Sequence, residues 1–336
     1  MERDIALMRR ALDAAVRGPE ADPNPRVGCV VTDRDGEVVG VGHHRGAGTP
    51  HAEVDALAQA GAAAHGGTAY VTLEPCDHTG RTGPCSRALL DAGVARVVHA
   101  VPDPSAEAAG GAERLAAAGV AVQAGVLAED AEAVNRTWLH ARRAGRPFVT
   151  WKAAATLDGR SAAADGSSRW VTGEDARADV HALRARCGAV LVGTGTALAD
   201  DPALTVRDAD GRPVGRQPLR VVVGKRDLPD GARLADGAAE TLHVPTHDPA
   251  AALAAVHARG VHHVLVEGGP TLAAAFLRAG LVDEVVAYLA PALLGGGHPV
   301  VGDLGGSSIG DALRLETTDV TVLGGDVRIT ARPLRS

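Results

Sequence analysis

Apolar residues recur at helical spacing near the start of the chain, at Ile5, Leu7, Met8, Leu12 and Val16, and the pattern stops at Gly18-Pro19. That spacing predicts an amphipathic helix over 3–17. The period then changes. "RVGCVVTDRDGEVVGVG" (26–42) reads as two strands joined by a turn at Asp35-Gly36. A helix from about 51 to 64 and the strand "TAYVTLE" come next, then a helix starting near Cys85, with Pro84 in the favoured first-turn position. The strand "ARVVHAV", a helix near 111–118, the strand "VAVQAG" and a helix near 129–143 complete this half. Strands alternating with helices in this way predict a layered α/β domain.

"RRAGRPF" (142–148) reads as a joint, and the alternation restarts beyond it. The elements there are "PFVTWKAAA", a helix over 174–187, "AVLVG", "PLRVVVG", a helix near 249–258 and "VHHVLVEGG". A helix over 271–279, the strand "DEVVAYLA" and a final "DVRITARP" follow. Segments 207–216 and 294–310 read as surface loops bordering a site. No internal repeat is visible. The expected domains are 1–145 and 146–336.

Composition narrows the classes. The 336 residues suffice for two domains, each with its own core. The chain is 46% hydrophobic but 2% aromatic, so those cores are built from Val, Leu and Ala. A net charge of -7 and scarce aromatics argue against a nucleic-acid-binding surface. No apolar run reaches membrane-spanning length, and the charged start "MERDIALMRR" is no secretory signal. Four cysteines make no disulfide framework, so a reducing cytoplasm is expected. Lysine occurs only at Lys152 and Lys225, which marks both as places where a compact ammonium is wanted.

"TPHAEVDAL" (49–57) places His51 and Glu53 two positions apart at a helix start, about 200° around a regular helix. They therefore suit two different jobs around one centre. Downstream, "LEPCDHTGRTGPC" supplies Cys76 and Cys85 with eight residues between them. A zinc-dependent deaminase needs three protein ligands, an open fourth position and a carboxylate that moves protons without binding the metal. His51, Cys76 and Cys85 fit as ligands and Glu53 as acid/base. Two thiolates and an imidazole neutralise Zn²⁺ and weaken it as a Lewis acid, so the carboxylate is required. Both cysteines are expected at or near helix N-termini, where thiolate is favoured. The eight-residue gap departs from the usual two and must form a loop beside the metal; its Arg81 suits a phosphate. Cys29 and Cys187 read as inert core thiols. A nucleic-acid base deaminase and a non-catalytic zinc-stabilised binding protein are the competing readings.

"DPNPRVGCVV", "GAGTPHAEVDAL", "YVTLEPCDHTGRTGPC", "WKAAATLDGR", "SRWVTG", "TALADDPALTVR" and "VEGGPTL" together resemble the bifunctional deaminase-reductases of riboflavin biosynthesis, in the expected order over nearly the whole chain. The resemblance implies an N-terminal cytidine-deaminase-like three-layer α/β/α domain and a C-terminal dihydrofolate-reductase-like α/β domain. It implies deamination of a phosphoribosylaminopyrimidine followed by NADPH-dependent reduction of its ribose to ribitol, in a cytoplasmic homo-oligomer. Asn24, His44, Arg81 and Asp103 match substrate-binding positions of the deaminase half. "DPSA" departs from the family's Asp-Pro-Asn-Pro, so Ser105 stands where Asn is expected, and His43 replaces a common tyrosine.

Without the family, the second half shows only glycine-bearing turns after strands, "LVGTGTALAD" and "LVEGGPTL", suited to phosphate. The resemblance implies NADPH contacts at Ala154, Trp170, Thr196, Asp200 and the turn Gly269, Pro270, Thr271, Leu272, Ala273, Ala274 and Ala275. It implies substrate contacts at Lys152, Ser168, Arg184, Leu204, Arg207 and Glu267, with Lys152 and Asp200 as candidates to polarise or protonate the sugar. At "VVVGKRD" the family's aspartate is replaced by Gly224-Lys225. Lys225 or Arg226 is expected to meet the cofactor's 2′-phosphate.

Overall fold

The computed structural model describes residues 1–79 and 83–334. The chain divides into two compact units, Met1–Gly145 and Arg146–Ser336.

The first unit opens with helix α1 (Glu2–Ala15) and the hairpin β1 (Gly28–Thr32) and β2 (Val38–His43). Helix α2 (Ala52–Ala60), β3 (Thr68–Leu73), α3 (Cys85–Asp91) and β4 (Arg96–Val101) follow. Helix α4 (Gly111–Ala117), β5 (Ala121–Ala124), α5 (Ala128–Val134) and α6 (Arg136–Ala144) complete it. The strands form one sheet in the order β2-β1-β3-β4-β5, antiparallel through β3 and parallel beyond. On one face Ala52, Ala56, Leu89 and Leu115 of α2, α3 and α4 pack against Cys29, Val31, Val71 and Val97. On the other, Met8, Ala131 and Trp138 of α1, α5 and α6 pack against Val30, Tyr70 and Val98. These are the three layers the family resemblance implies. Small side chains let them approach closely: a Cβ on Gly42 would stand 2.3 Å from the Ala52 carbonyl oxygen. That approach brings the start of α2 down to the sheet's edge.

One expected helix proves to be two. The stretch near 129–143 breaks at Asn135, which is buried. Its Oδ1 accepts the Arg26 N–H and its Nδ2 donates to the Arg26 carbonyl, both at 2.8 Å, so a loop from the far end of the unit replaces helix continuity.

In the second unit, β6 (Phe148–Thr156), β7 (Arg160–Ala162), α7 (Glu174–Ala185), β8 (Ala189–Gly193) and α8 (Thr194–Asp200) come first. Strands β9 (Leu219–Val223) and β10 (Thr241–Val244), α9 (Pro249–His257), β11 (His263–Val266) and α10 (Pro270–Arg278) follow. The unit ends with β12 (Glu284–Ala290), β13 (His298–Pro299), β14 (Leu315–Leu323) and β15 (Asp326–Pro333). Eight strands make one sheet, β10-β9-β8-β11-β6-β12-β15-β14, parallel until β15 and β14 run antiparallel. Helices α9 and α10 cover one face and α7 the other. The sequence reading missed α8, β7, β10 and β14. It also treated 294–310 as loop, whereas β13 pairs there with β7 and a short 3₁₀ turn spans Ile309–Asp311. Among the described residues no helix is long and apolar enough to cross a membrane.

Candidate metal centre and second-unit cluster

His51 is the N-cap of α2, with extended backbone angles (φ -69°, ψ 161°). A residue there usually turns its side chain back onto the helix's free N–H groups; His51 makes no such bond, and its ring is left for other work. Its Nδ1 lies 3.2 Å from the Cys85 Sγ and 3.5 Å from the Cys76 Sγ. All three donor atoms lie within 4.8 Å of one another. Bond lengths of about 2.05 Å to nitrogen and 2.3 Å to sulfur at tetrahedral angles require nitrogen-to-sulfur separations of about 3.5 Å. The donor set and its spacing fit zinc.

Cys85 is the first residue of α3, as expected, but Pro84 is its extended N-cap and not a first-turn residue. Cys76 is not at a helix start. The lengthened gap delays α3, and Cys76 sits in irregular chain after β3. Backbone bonds fix it there: its carbonyl accepts the Ser86 N–H, and the Asp77 N–H donates to the Ala108 carbonyl. Ser86 Oγ donates to Asp77 Oδ1 at 2.5 Å, and Arg114 pairs with the same carboxylate at 3.0 Å. The Cys85 thiol beside it, reinforced by His51, holds the Cys76 thiol down at about 4, while the same contact pushes the Cys85 thiol up.

Glu53 is 3% exposed and is not one of the three clustered donors. Burial, with the negative Cys76 sulfur nearby, pushes its carboxyl up to about 7. A carboxyl in that range both accepts and returns protons near neutrality.

A cavity of about 170 Å³ opens over these groups, lined among others by Asn24, His44, Asp103, Trp138 and Arg142. Pro50's carbonyl can only accept, so His44 donates to it through Nδ1 at 3.1 Å and receives the Asn24 side-chain amide at Nε2, also at 3.1 Å. The His44 ring stands edge-on to that of His51, centroids 5.4 Å apart. Asp103 Oδ1 accepts from the backbone and hydroxyl of Ser105, so this serine is turned onto its neighbour. Arg81 lies outside the described residues.

Sequence reasoning missed Glu74, the glutamate before Pro75-Cys76. It is buried, and its carboxylate accepts three backbone N–H groups, from Asp103 (3.1 Å), Gly110 (3.2 Å) and Ala112 (3.1 Å). Gly111 lies between two of them because a Cβ there would stand 1.7 Å from the Pro75 carbonyl oxygen. The only sequence signal was a charge at the end of a buried strand.

In the second unit, Lys152 on β6, Arg184 on α7 and Glu267 at the end of β11 converge. Arg184 grips Glu267 with two bonds, 2.6 and 3.0 Å, and donates to the Thr205 carbonyl at 3.0 Å. Lys152 Nζ is 3.9 Å from the same carboxylate. Burial alone would raise the Glu267 carboxyl, but Arg184 and then Lys152 outweigh it and hold it at about 2. Burial pushes the Lys152 ammonium down, opposed by Glu267. One helical turn before Arg184, His181 Nδ1 accepts the Arg207 N–H at 3.3 Å. Buried Leu204 takes a positive φ of 50° in the same segment. Among the described residues the buried Arg207 Nε has no hydrogen-bond partner, a donor available to an anion.

A second grouping joins Thr196, in α8, to the start of α10: its Oγ1 accepts the Gly269 N–H at 3.2 Å. Gly269 caps α10 and Pro270 opens it, with Thr271, Leu272, Ala273, Ala274 and Ala275 in its first turns. Ala154 is half-buried on β6. Trp170 is 69% exposed, with the Arg177 guanidinium 4.7 Å from its ring centre. Asp200 is exposed at the end of α8, its carbonyl accepting from Arg169. Ser168 accepts the Val171 N–H through its carbonyl. Among the described residues no hydrogen bond ties Ser168, Trp170 or Asp200 to the Lys152–Glu267 cluster. Lys225 and Arg226 are both exposed, but the Arg226 guanidinium lies over Gly195 in α8, 3.4 Å from where a Cβ would stand.

Comparison with known proteins bears on both units. Residues 1–101 match the cytidine and deoxycytidylate deaminase zinc-binding region, and residues 147–329 match the RibD C-terminal domain. The chain is 53% identical over 309 residues to the riboflavin biosynthesis protein RibD of Mycobacterium tuberculosis, covering 92% of this chain and 91% of that protein. It is 41% identical to RibD of Escherichia coli, covering 97% and 98%. Among solved structures it is similar to Acinetobacter baumannii RibD, with TM-score 0.90, 39% identity and 99% of each chain covered. It is also similar to a diaminohydroxyphosphoribosylaminopyrimidine deaminase/5-amino-6-(5-phosphoribosylamino)uracil reductase of Thermotoga maritima, with TM-score 0.88, 31% identity and 99% of each chain covered.

Proposed function

The chain belongs to the RibD family, the bifunctional deaminase-reductases of riboflavin biosynthesis, and from that premise we propose how its own residues carry out the two reactions. The first unit acts on 2,5-diamino-6-(5-phosphoribosylamino)pyrimidin-4-one: water adds at C2, the C2–N bond breaks, and ammonia and the uracil product leave. His51, Cys76 and Cys85 hold zinc, whose contribution when bound is to activate the attacking water as a Lewis acid. Glu53 takes the water's proton and delivers it to the departing nitrogen. Asn24, oriented by His44, and Asp103 meet the substrate's polar edges, and Arg81 meets its phosphate.

The carrying observation is a buried carboxylate beside, but outside, a three-donor set spaced for zinc. Glu53→Gln tests it. The variant is expected to retain full zinc content and lose ammonia release by at least ~10²-fold, the range of a general acid/base. Undiminished release overturns the role.

The second unit reduces the ribose of that product to ribitol, with NADPH supplying hydride. The joined starts of α8 and α10 at Thr196 and Gly269 suit the cofactor's phosphates, and Ala154, Trp170 and Asp200 border it. Arg226 over α8 supports a contact to the 2′-phosphate better than Lys225 does. Lys152, poised by Glu267, supplies or holds the sugar's proton, while Ser168, Arg184, Leu204 and Arg207 seat the sugar phosphate. The enzyme acts in the cytoplasm as a homo-oligomer. Exposed Leu315, Val320 and Val322 on the edge strand β14 support a second copy as its cover.

A further inference from the structure

The deaminase cavity carries a cation that neither the metal chemistry nor the family resemblance assigns. Arg142, on α6, lines the cavity, with its guanidinium 5.4 Å from the centre of the Trp138 ring. It makes no hydrogen bond or ion pair among the described residues. Its neighbour Arg143 behaves as a surface arginine usually does and pairs with Glu132 at 2.6 Å. The other described charged side chains of the lining, the histidines apart, are acidic: Glu53, Glu74, Asp103 and Glu107. A dianionic phosphate entering such a cavity meets repulsion unless a fixed cation faces it.

We propose that Arg142 is a specificity-determining residue of the deaminase site that binds the 5′-phosphate of the phosphoribosylamino substrate. A cation–π contact draws on the charge of a guanidinium and leaves its five in-plane N–H donors unspent. Trp138, itself 6% exposed, holds the guanidinium of the exposed Arg142 within cation–π range and takes none of its N–H donors. Their fork matches two oxygens of one phosphate.

The inference rests on the deaminase assignment, and the experiment separates the two. R142M and R142K are made in the full zinc-loaded chain, and ammonia release is followed on the natural substrate and on the same compound without its phosphate. Loss of a charge-assisted pair predicts kcat/KM for R142M down ~10–100-fold on the phosphorylated substrate, mostly through KM. The dephosphorylated compound should be unaffected, and R142K should recover part of the loss. Ribose 5-phosphate as a competitive inhibitor gives the same contrast where turnover of the dephosphorylated compound is too slow, its Ki rising in R142M. Full zinc content and an unchanged urea-unfolding midpoint of the first unit in both variants certify the fold around the site. An unchanged KM and Ki in R142M, as when Arg81 alone carries the phosphate, overturns the proposal. So does an equal loss on both substrates, which makes Arg142 structural. Failure of the unmodified chain to release ammonia overturns the deaminase assignment instead.

Discussion

Glu267 offers a prediction whose size follows from the structure. The carboxylate is buried against Arg184 and Lys152, and its pKa falls from the ordinary 4.5 to about 2. At about 1.4 kcal/mol per pKa unit, that corresponds to ~3 kcal/mol of stability for the second unit. Because the folded value lies below the unfolded one, the contribution is complete above pH 4.5 and disappears as pH falls through 2. Linkage leaves about 1.4 kcal/mol of it at pH 3. Glu267→Gln removes the charge while keeping the shape, leaving two buried cations uncompensated. Denaturant unfolding of parent and variant should therefore differ by ~3 kcal/mol at pH 7, or a fall of ~6–12 °C in Tm for a unit of this size. The gap should narrow to about half by pH 3. Sugar reduction should fall in the variant, while ammonia release, carried by the other unit, provides the internal reference. Parallel stability curves between pH 7 and 3 would refute the reasoning, because Glu267 would then have no depressed pKa to lose.

Two further outcomes are expected from the same kind of reasoning. Glu74→Ala strands three backbone N–H groups, each worth about 1–3 kcal/mol when buried unpaired, so the first unit should lose several kcal/mol in urea unfolding. Zinc affinity measured by competition with a chelator should weaken with it, and an unchanged midpoint would contradict the bracing role. Arg226→Ala should raise the KM for NADPH ~10-fold and leave that for NADH alone; Lys225→Ala, made in parallel, should move neither.

What could be read from the sequence was whatever local chemistry decides. The His51–Glu53 spacing, the two Pro-Cys pairs and the alternation of strands and helices carry their meaning within a few residues of themselves. What could not be read depends on distant partners. Asn135 ends a helix because Arg26, more than a hundred positions away, takes both halves of its amide. Glu74 is a carboxylate among carboxylates until the 103–112 segment folds over it. Arg142 and Arg143 are adjacent and alike, and only packing places one over Trp138 and the other against Glu132. Strand β14 was the avoidable omission. "LETTDVTVLGG" alternates and then turns at Gly324-Gly325 into β15, a hairpin signal. The exposed, threonine-rich face of that strand hid it.

The three amides gathered by Glu74 have a consequence for how this enzyme tolerates change. A loop held through its main chain is indifferent to most of the side chains it displays. The cavity wall that carries Asp103, Ser105, Glu107 and Ala108 should keep its contour whether position 105 carries an amide or, as here, a hydroxyl. Drift in the side chains is thereby uncoupled from drift in the shape that presents them, and positions 104–109, short of the sterically fixed Gly110-Gly111, become the natural place to re-engineer the cavity.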